Sequence, residues 1–353
     1  MSGPAKNAKG RGAADNPQGR FETLVREAAE EFAGKGTVVP ATRVLFHPVR
    51  SIISRNQSPD VPFSQSINPY QGCEHGCIYC YARPSHSYLG LSPGLDFETK
   101  IFAKPEAAAL LRRELAHPKY RCEVISLGAN TDPYQPVERQ LGITREILET
   151  LRDFRHPVGV VSKSSLVERD IDILAPMAEK GLARVFISID TLDPEIARKL
   201  EPRAVAPLRR IETLRRLSAA GIPCGTLVAP VIPFLNDKDM ERVLETAQAA
   251  GATMAGYVML RLPNEVRELF KAWLERHYPL KAAHVMARVR DVRGGRESDP
   301  RFGSRMTGEG LFAEMIRKRF DNACRRLGLN DGKRNGLDTS KFRVPEQEQM
   351  PLL

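Results

Sequence analysis

Three cysteines lie within eight residues of this chain, in the stretch INPYQGCEHGCIYCYARPSHSYLG. Cys73, Cys77 and Cys80 have the spacing C-x3-C-x2-C, and the same loop contains Gly72 and Gly76, which let a backbone bend closely around a bound group. Thiolates are soft ligands that select zinc, copper(I) or an iron–sulfur cluster. The loop therefore predicts a metal centre.

The spacing of these cysteines bears on which metal they bind. A structural zinc site needs four ligands, commonly as two separated pairs, and the nearest fourth candidate is His75, inside the loop itself. An iron–sulfur cluster of the [4Fe-4S] type held by three cysteines has one iron with no protein ligand, which a small molecule can coordinate. The spacing argues against zinc. Three inert, buried cysteines are the alternative, although free cysteines rarely gather in a polar glycine loop.

The remaining sequence is that of a globular chain with polar ends. The 353 residues are 42% hydrophobic, and the formal net charge is +10. No run approaches 18 apolar residues and no apolar segment follows the basic N-terminus, so we expect no membrane span, no secretory signal and a cytoplasmic location. Residues 1–20 and 329–353 lack periodicity and are predicted to be disordered tails. The scattered Cys122, Cys224 and Cys324 are predicted to be core residues.

Strand-like and helix-like patterns alternate through the middle of the chain. From SQSINPY to NEVRELFKAWLERH they predict about six βα units, and Gly181, Gly221 and Gly251 stand where helices are expected to end. Such alternation predicts a parallel sheet, which can close into a complete or partial TIM-like barrel or lie open as a doubly wound sheet. Periodicity does not choose between them. In either fold the cysteine loop follows the first strand at the reactive, C-terminal end of the sheet.

The cysteine motif resembles that of the radical S-adenosylmethionine enzymes, in which an aromatic residue, here Tyr79, directly precedes the third cysteine. The resemblance implies a partial (β/α)6 TIM-like barrel, with a [4Fe-4S] cluster whose open iron is chelated by S-adenosyl-L-methionine. Reductive cleavage of that cofactor would give a 5′-deoxyadenosyl radical that abstracts hydrogen from substrate. A cellular one-electron reductant of the flavodoxin or ferredoxin type would supply the electron. We expect the barrel at residues 65–276, after an N-terminal extension at 21–64, and we expect a monomer.

The resemblance also indicates which strand ends hold the cofactor. Thr131 and Asp132 follow the second strand, where the family commonly binds the cofactor's amino group. Lys163 follows the third strand and could meet the cofactor carboxylate, with Arg203 as a second partner. Of Ser188 and Asp190 we expect only Ser188 to face the barrel. The predicted cofactor-binding residues are Tyr79, Thr131, Asp132, Lys163, Ser188 and Arg203.

Within this superfamily the chain is most similar to the spore photoproduct lyase-like branch, whose members are often labelled DNA repair photolyases. The similarity rests on YQGCEHGCIYCYAR, TDPYQPVE, SKSSLVERDIDIL and VAPVIPFLND, and covers about residues 65–275. The lyase itself resembles this chain with one departure: its hydrogen-donating cysteine corresponds to Ala129 here. The resemblance therefore implies a lyase-like radical enzyme that does not efficiently repair spore photoproduct.

The C-terminal part is basic and is predicted to be a helical extension at residues 277–328. A solvated helical face explains such a charge pattern, and so does contact with phosphates. If nucleic acid binds, the expected phosphate contacts are Arg293, Arg296, Arg301 and Arg305. The leading hypothesis is a radical enzyme acting on a nucleic-acid base. Radical modification of a protein or small metabolite, and a non-catalytic metal-binding module, are the alternatives.

Overall fold

The computed structural model describes residues 10–22, 41–331 and 336–346. Six βα units dominate these residues, as the sequence pattern predicts. The strands are β1 (Arg43–Phe46), β2 (Ile53–Arg55), β3 (Gln65–Ile67), β4 (Tyr70–Gln71), β5 (Lys100–Ala103), β6 (Ile125–Leu127), β7 (Val158–Ser162), β8 (Ala183–Ser188), β9 (Cys224–Val231) and β10 (Met254–Met259).

The main sheet has seven strands in the order β10-β9-β8-β7-β6-β3-β2. All neighbouring pairs from β3 to β10 are parallel, and β2 runs antiparallel at the edge. The six parallel strands thus follow one another in chain order with no reversal. A doubly wound sheet reverses its strand order part-way. The strand order therefore excludes that alternative and confirms the predicted partial (β/α)6 barrel.

Helices connect the parallel strands and cover the outside of the sheet. They are α1 (Leu95–Thr99), α2 (Ala107–Leu115), α3 (Glu138–Leu141), α4 (Ile143–Asp153), α5 (Ile171–Glu179), α6 (Pro194–Leu200), α7 (Pro207–Ala219), α8 (Met240–Ala249), α9 (Val266–His277), α10 (Pro279–Asp291), α11 (Ser304–Thr307) and α12 (Gly310–Leu327). The predicted helix ends at Gly181, Gly221 and Gly251 are confirmed, with φ of 69°, 74° and 98°. This left-handed conformation costs glycine little, so the chain turns directly into the next strand. No helix in the described ranges is both long and apolar enough to cross a membrane.

The main core lies between the parallel strands and the covering helices. Val185 and Ile187 on β8 are fully buried and belong to the same apolar cluster as Leu214 on α7 and Val243 on α8. Burying each such side chain contributes roughly 1.5–3 kcal/mol relative to leaving it exposed. This packing fixes the positions of the strand ends that carry the polar residues of the site.

A second, three-stranded sheet holds the start of the cysteine loop. Its order is β1-β5-β4, with β4 antiparallel to β5. Gln71 pairs with Phe102 at the end of β4, one residue before Gly72. The loop therefore begins from a fixed strand end.

The N-terminal strap, defined here as residues 10–22, packs against the barrel. Ala13 is 1% exposed, and the Leu95 backbone N–H donates to the carbonyl of Asp15 at 3.0 Å. The prediction of a disordered tail over residues 1–20 is therefore wrong for residues 10–20, because its polar backbone groups find partners on the barrel. Residues 1–9 lie outside the described ranges.

Part of the second predicted tail, residues 329–353, is also ordered. The Asn330 side chain exchanges two hydrogen bonds with the backbone of Ala255 at 2.9 and 3.0 Å, and Phe342 packs against Phe154 with the ring centroids 6.3 Å apart. The disorder prediction is therefore wrong for these segments. Residues 332–335 and 347–353 lie outside the described ranges.

The C-terminal helices extend the barrel rather than form a separate layer. On α12, Arg319 pairs with Glu241 of α8 at 2.7 Å, and Cys324 is buried on the opposite, apolar face. Cys224 at the start of β9 is also buried, whereas Cys122 is only half-buried. The core prediction is thus confirmed for two of these three cysteines.

Candidate active site

The cysteine loop follows β4 at the C-terminal end of the barrel. Cys73 and Cys77 are buried and Cys80 is half-buried. The Cys73 N–H donates to the Phe97 carbonyl at 3.0 Å, and the Cys80 N–H donates to the Cys77 carbonyl at 3.2 Å. Burial raises the pKa of the Cys80 thiol to about 11 and that of Cys77 well above its usual range. A metal centre that binds here must therefore displace thiol protons.

Both loop glycines are required by the geometry. Gly72 and Gly76 have φ of 85° and 67°. A Cβ at Gly76 would lie 2.7 Å from a carboxylate oxygen of Glu98, and one at Gly72 would lie 3.0 Å from the carbonyl oxygen of Phe97. The predicted close bend of the backbone is thus present, and any side chain at either position would force the loop apart.

Arg83 holds the backbone of the cysteine loop from its buried side. It is fully buried, and its guanidinium donates to the carbonyl oxygens of Gly76, Cys77, Pro93 and Gly94 at 2.9–3.1 Å. It also donates to Glu98 at 2.6 Å. Sequence reasoning missed this residue. The sequence shows an arginine three positions after the third cysteine. It does not show that this side chain is buried, because the carbonyl groups that hold it include those of Pro93 and Gly94, further along the chain.

Glu98 joins the loop to the N-terminal strap. Besides Arg83, its carboxylate accepts hydrogen bonds from the backbone N–H groups of Gly12 and Ala13 at 2.9 and 2.8 Å. A Cβ at Gly12 would lie 1.8 Å from the Gly76 carbonyl oxygen. The strap therefore rests directly on the backbone of the cysteine loop and shields it from solvent.

Asp132 connects two strand ends to the cysteine loop. One carboxylate oxygen accepts from the Tyr134 N–H at 2.9 Å and the Ser162 hydroxyl at 2.8 Å. The other accepts from the Lys163 N–H at 2.7 Å and lies 3.3 Å from Nδ1 of His75. Burial alone would raise the pKa of Asp132, but the His75 charge and these hydrogen bonds lower it. Because the four contacts occupy its acceptor sites, the geometry gives Asp132 a positioning role.

Thr131 and His75 lie beside this carboxylate. The Thr131 hydroxyl donates to the carbonyl of Tyr70 at 2.7 Å, so it is already engaged in holding the end of β4. Burial alone would lower the pKa of His75, but the charge of Asp132 raises it to about 10. Both residues are 2% exposed. Both residues therefore hold the segments beside the cysteine loop in place.

A buried charge cluster fills the space beside Cys77. Glu201 is at its centre. One carboxylate oxygen lies 3.2 Å from Lys163 Nζ and accepts a hydrogen bond from the Tyr79 hydroxyl. The other oxygen accepts from Arg210. Burial raises the pKa of Glu201, but Arg210 and Lys163 outweigh this and lower it to about 2. Lys163 Nζ lies 5.9 Å from the centre of the Tyr79 ring. The structure thus brings together two of the predicted cofactor residues, Tyr79 and Lys163.

Asp190, which the sequence analysis set aside in favour of Ser188, belongs to the same cluster. It is 1% exposed, and within the described part of the chain neither carboxylate oxygen has a hydrogen-bond partner. Burial, followed by the Glu201 charge, raises its pKa to about 7. The expectation that only Ser188 faces the barrel is wrong, because the Asp190 side chain is also buried and feels the Glu201 charge. Ser188 is buried, and its carbonyl accepts from Arg210 at 2.9 Å.

Arg203 lies at the edge of the cysteine loop. Its backbone N–H donates to the His75 carbonyl at 3.3 Å, and its guanidinium pairs with Glu74 at 3.2 Å. The side chain is 35% exposed. It is close to the loop, as predicted, and it remains accessible.

The four C-terminal arginines do not form one phosphate-binding surface. Arg293 is 1% exposed and its guanidinium donates to four backbone carbonyls, so its prediction as a phosphate contact is wrong. Arg301 pairs with Asp299 and Glu309. Arg305 pairs with the carboxylate of Asp60. The remaining residue, Arg296, is exposed.

The residues present fit an open iron–sulfur cluster and a polar cofactor. Three thiols share one loop, and a cluster receives each thiolate at a different iron. Next to the loop, the buried carboxylate of Asp190 lacks donors and so suits a ligand with hydroxyl or ammonium groups.

Comparison with known sequences assigns the superfamily. A family model described as the Radical SAM superfamily matches residues 67–247. An uncharacterized protein of Mycobacterium tuberculosis (strain ATCC 25618 / H37Rv) is 36% identical over 254 residues, which are 70% of this chain and 74% of that protein. A Radical SAM Nalpha-GlyT isomerase of Pseudomonas phage M6 is 24% identical over 194 residues, 54% of this chain and 38% of the isomerase.

Solved structures show the same fold. Spore photoproduct lyase complexed with dinucleoside spore photoproduct superimposes with a TM-score of 0.56 at 14% sequence identity, covering 81% of this chain and 80% of the lyase. At that identity the likeness concerns the fold. The six-stranded barrel, the three-cysteine loop at its C-terminal end and the sequence matches agree, and the chain belongs to the Radical SAM superfamily, whose members use a [4Fe-4S] cluster and S-adenosyl-L-methionine.

Proposed function

We propose that this radical S-adenosylmethionine enzyme acts on a nucleic-acid base, with Cys73, Cys77 and Cys80 as the cluster ligands. The observation that carries the proposal is the loop itself: two buried thiols and one half-buried thiol at the reactive end of the barrel, beside Lys163 and a buried carboxylate, Asp190, that has no hydrogen-bond partner among the described residues. When bound, the cluster and cofactor supply reductive cleavage of the sulfonium and a hydrogen-abstracting radical. The chain's residues hold these groups and exclude water.

The cofactor contacts are assigned from charge and from position beside the loop. Lys163 pairs with Glu201 and Arg203 with Glu74, and we assign both cations to the cofactor carboxylate. Neither Asp190 oxygen has a hydrogen-bond partner among the described residues, and we assign this carboxyl group to the cofactor's hydroxyl or ammonium groups. Asp132 and Thr131 are assigned no direct contact with the cofactor, because their hydrogen-bonding groups already hold the strand ends.

Two similarities support a nucleic-acid base as the substrate class. The phage relative is named a Nalpha-GlyT isomerase, and the lyase structure is a complex with dinucleoside spore photoproduct. An extruded or unpaired base is required, because a base stacked in a duplex cannot reach the barrel interior. Ala129 supplies no thiol where the resembled lyase has its hydrogen donor, so efficient repair of spore photoproduct is not expected.

The test is anaerobic turnover with a chemical one-electron reductant and S-adenosylmethionine, with release of 5′-deoxyadenosine as the readout. We expect single-stranded oligonucleotides to stimulate release and a photoproduct-containing oligonucleotide to show no multiple-turnover return to thymine. If peptides or metabolites stimulate the release of 5′-deoxyadenosine and oligonucleotides do not, the substrate belongs to one of those classes instead. A flavodoxin- or ferredoxin-type protein is the proposed reductant in the cell, and the proposed state is a monomer.

A further inference from the structure

Arg261 stands at the C-terminal end of the sixth barrel strand and forms no ion pair with any residue that the structure describes. It lies two residues beyond the end of β10 and is half-buried. Among the residues that the structure describes, its guanidinium donates only to the Met306 thioether, at 3.4 Å, and to no carboxylate or carbonyl oxygen. A thioether is a weak acceptor, and a guanidinium carries five N–H donors. Most of the Arg261 donors are therefore available to a ligand.

The buried Arg293 holds this position in place. It donates to the carbonyl oxygens of two neighbouring segments, at 2.6–3.1 Å: those of Met259, Leu260, Ser304 and Arg305. The first two carbonyls immediately precede Arg261 in the chain. The last belongs to Arg305, so one buried side chain fixes Arg261 and Arg305 next to each other.

The two arginines carry more positive charge than their surroundings neutralise. Arg305 donates to the Asp60 carboxylate and to the Ser58 hydroxyl, the latter at 2.6 Å. Two guanidinium groups thus share one carboxylate. Burial lowers the pKa of Arg261, and the charge of Arg305 lowers it further. An anion bound between the two arginines would relieve this repulsion.

Exposed aromatic rings lie beside both arginines and next to the cysteine loop. Tyr81 directly follows Cys80, its ring centre is 5.5 Å from Cζ of Arg261, and it is 47% exposed. Phe302 is 61% exposed, with its ring centre 4.5 Å from Cζ of Arg305. These two rings and the two arginines are called the arginine rim. It borders the barrel mouth directly at the cluster ligands.

We propose that the arginine rim binds the phosphodiester group of an unpaired nucleic-acid strand, with Arg261 as the principal phosphate contact and Tyr81 or Phe302 stacking on a neighbouring base. The proposal rests on the proposed function and names the part of the substrate that this site recognises. Paired guanidinium groups suit the tetrahedral oxygens of a phosphate. Exposed rings beside them suit unpaired bases, which stack without sequence preference.

The test measures binding of a fluorescent single-stranded oligonucleotide to the anaerobically reconstituted protein at several salt concentrations. Arg261→Gln should weaken binding about tenfold or more and reduce the salt slope by roughly one. Arg261→Lys keeps the charge and should restore the slope but only part of the affinity. Arg325→Gln is the matched control: this exposed arginine contacts Asn322 at the other end of the barrel and should bind as the parent does.

The outcomes separate this proposal from the function on which it rests. Parent protein that cleaves S-adenosylmethionine but binds no oligonucleotide would overturn both the nucleic-acid substrate and the rim assignment. Parent protein that binds, with Arg261→Gln binding equally well at the same salt slope, would overturn the rim assignment alone. A mononucleotide that competes as strongly as the strand would show that the rim binds a free nucleotide and would overturn the proposal of a strand. Unchanged cluster absorbance in each variant shows that the loop is intact.

Discussion

The cysteine loop and the arginine rim border the same end of the barrel, but their polar groups are satisfied in opposite ways. Beneath the loop, Arg83 and Glu98 are fully buried, and their charged groups meet carbonyls, backbone N–H groups and each other. At the rim, Arg261 has a single weak acceptor. The difference indicates that the loop is organised before any ligand binds, whereas the rim is completed by a ligand.

Asp190 stands between these extremes. It is as buried as the groups beneath the loop, yet its carboxylate is as short of partners as the Arg261 guanidinium. Unsatisfied buried groups are costly and are uncommon away from functional sites. Substitutions at the three places should therefore differ in kind. Changes beneath the loop should cost stability, changes at Asp190 should alter pH dependence, and changes at the rim should affect ligand binding.

The largest effect is expected at Arg83. Arg83→Ala leaves the buried Glu98 carboxylate without its ion-pair partner and removes one hydrogen bond from each of four backbone carbonyls. Breaking a buried pair in this way should lower the free energy of unfolding by roughly 3–5 kcal/mol. Urea unfolding under anaerobic reducing conditions measures it. Arg326→Ala is the control, since its exposed pair with Glu245 should cost about 1 kcal/mol or less. Equal losses in the two variants would refute the distinction.

The next effect is a pH dependence that originates at Asp190. Its pKa is about 7 in the folded protein, so the fold retains a proton that the unfolded chain releases near its ordinary value of 3.8. This contribution to stability is fully present below about pH 4 and is lost as the pH rises through 7. Between pH 5 and 8 the parent should lose on the order of 2 kcal/mol from this source.

Asp190→Asn removes the titrating group, so its stability should fall less over the same pH range. Asp291→Asn, which changes an exposed carboxylate paired with Arg288, should follow the parent. The measurement is urea unfolding at each pH. A pH profile of Asp190→Asn that coincides with the parent profile would show that this carboxyl group is not the source.

A smaller effect is expected where the N-terminal strap meets the loop. Gly12→Val would place a side chain against the Gly76 carbonyl, where even a Cβ would lie at 1.8 Å, and should cost roughly 1–3 kcal/mol. The displaced strap should also expose the loop, so iron should be lost faster to a chelator. Gly336→Ala, with no atom within 4 Å of its added Cβ, is the control. Parent-like iron retention in Gly12→Val would mean that the strap does not shield the loop.

Local patterns were sufficient for much of the fold. Apolar runs bounded by glycines located the six parallel strands, because such runs and the stops at Gly181, Gly221 and Gly251 are properties of short segments. Strand order is a long-range property, so periodicity alone could not separate a partial barrel from a doubly wound sheet. The resemblance carried by the cysteine motif supplied that choice, and the observed order of the strands confirmed it.

The site was less predictable, because its contacts join distant parts of the chain. The cysteine loop and its glycines could be identified from spacing. Glu98 and the strap are 85 or more residues apart in sequence, and no local pattern connects them. A run of basic residues does not reveal which member is buried, and so Arg293 was taken for a surface contact. Asp190 could have been found, because it is an acidic residue just beyond the C-terminal end of β8, where the polar residues of the site lie.

The central claim is tested most directly by loading the parent protein with iron and sulfide under anaerobic conditions and measuring iron content together with reductive cleavage of S-adenosylmethionine. The account predicts about four irons per chain, release of 5′-deoxyadenosine on reduction, and loss of both when Cys77 is replaced by alanine. Stoichiometric zinc with no iron uptake, or unchanged iron content in Cys77→Ala, would contradict it.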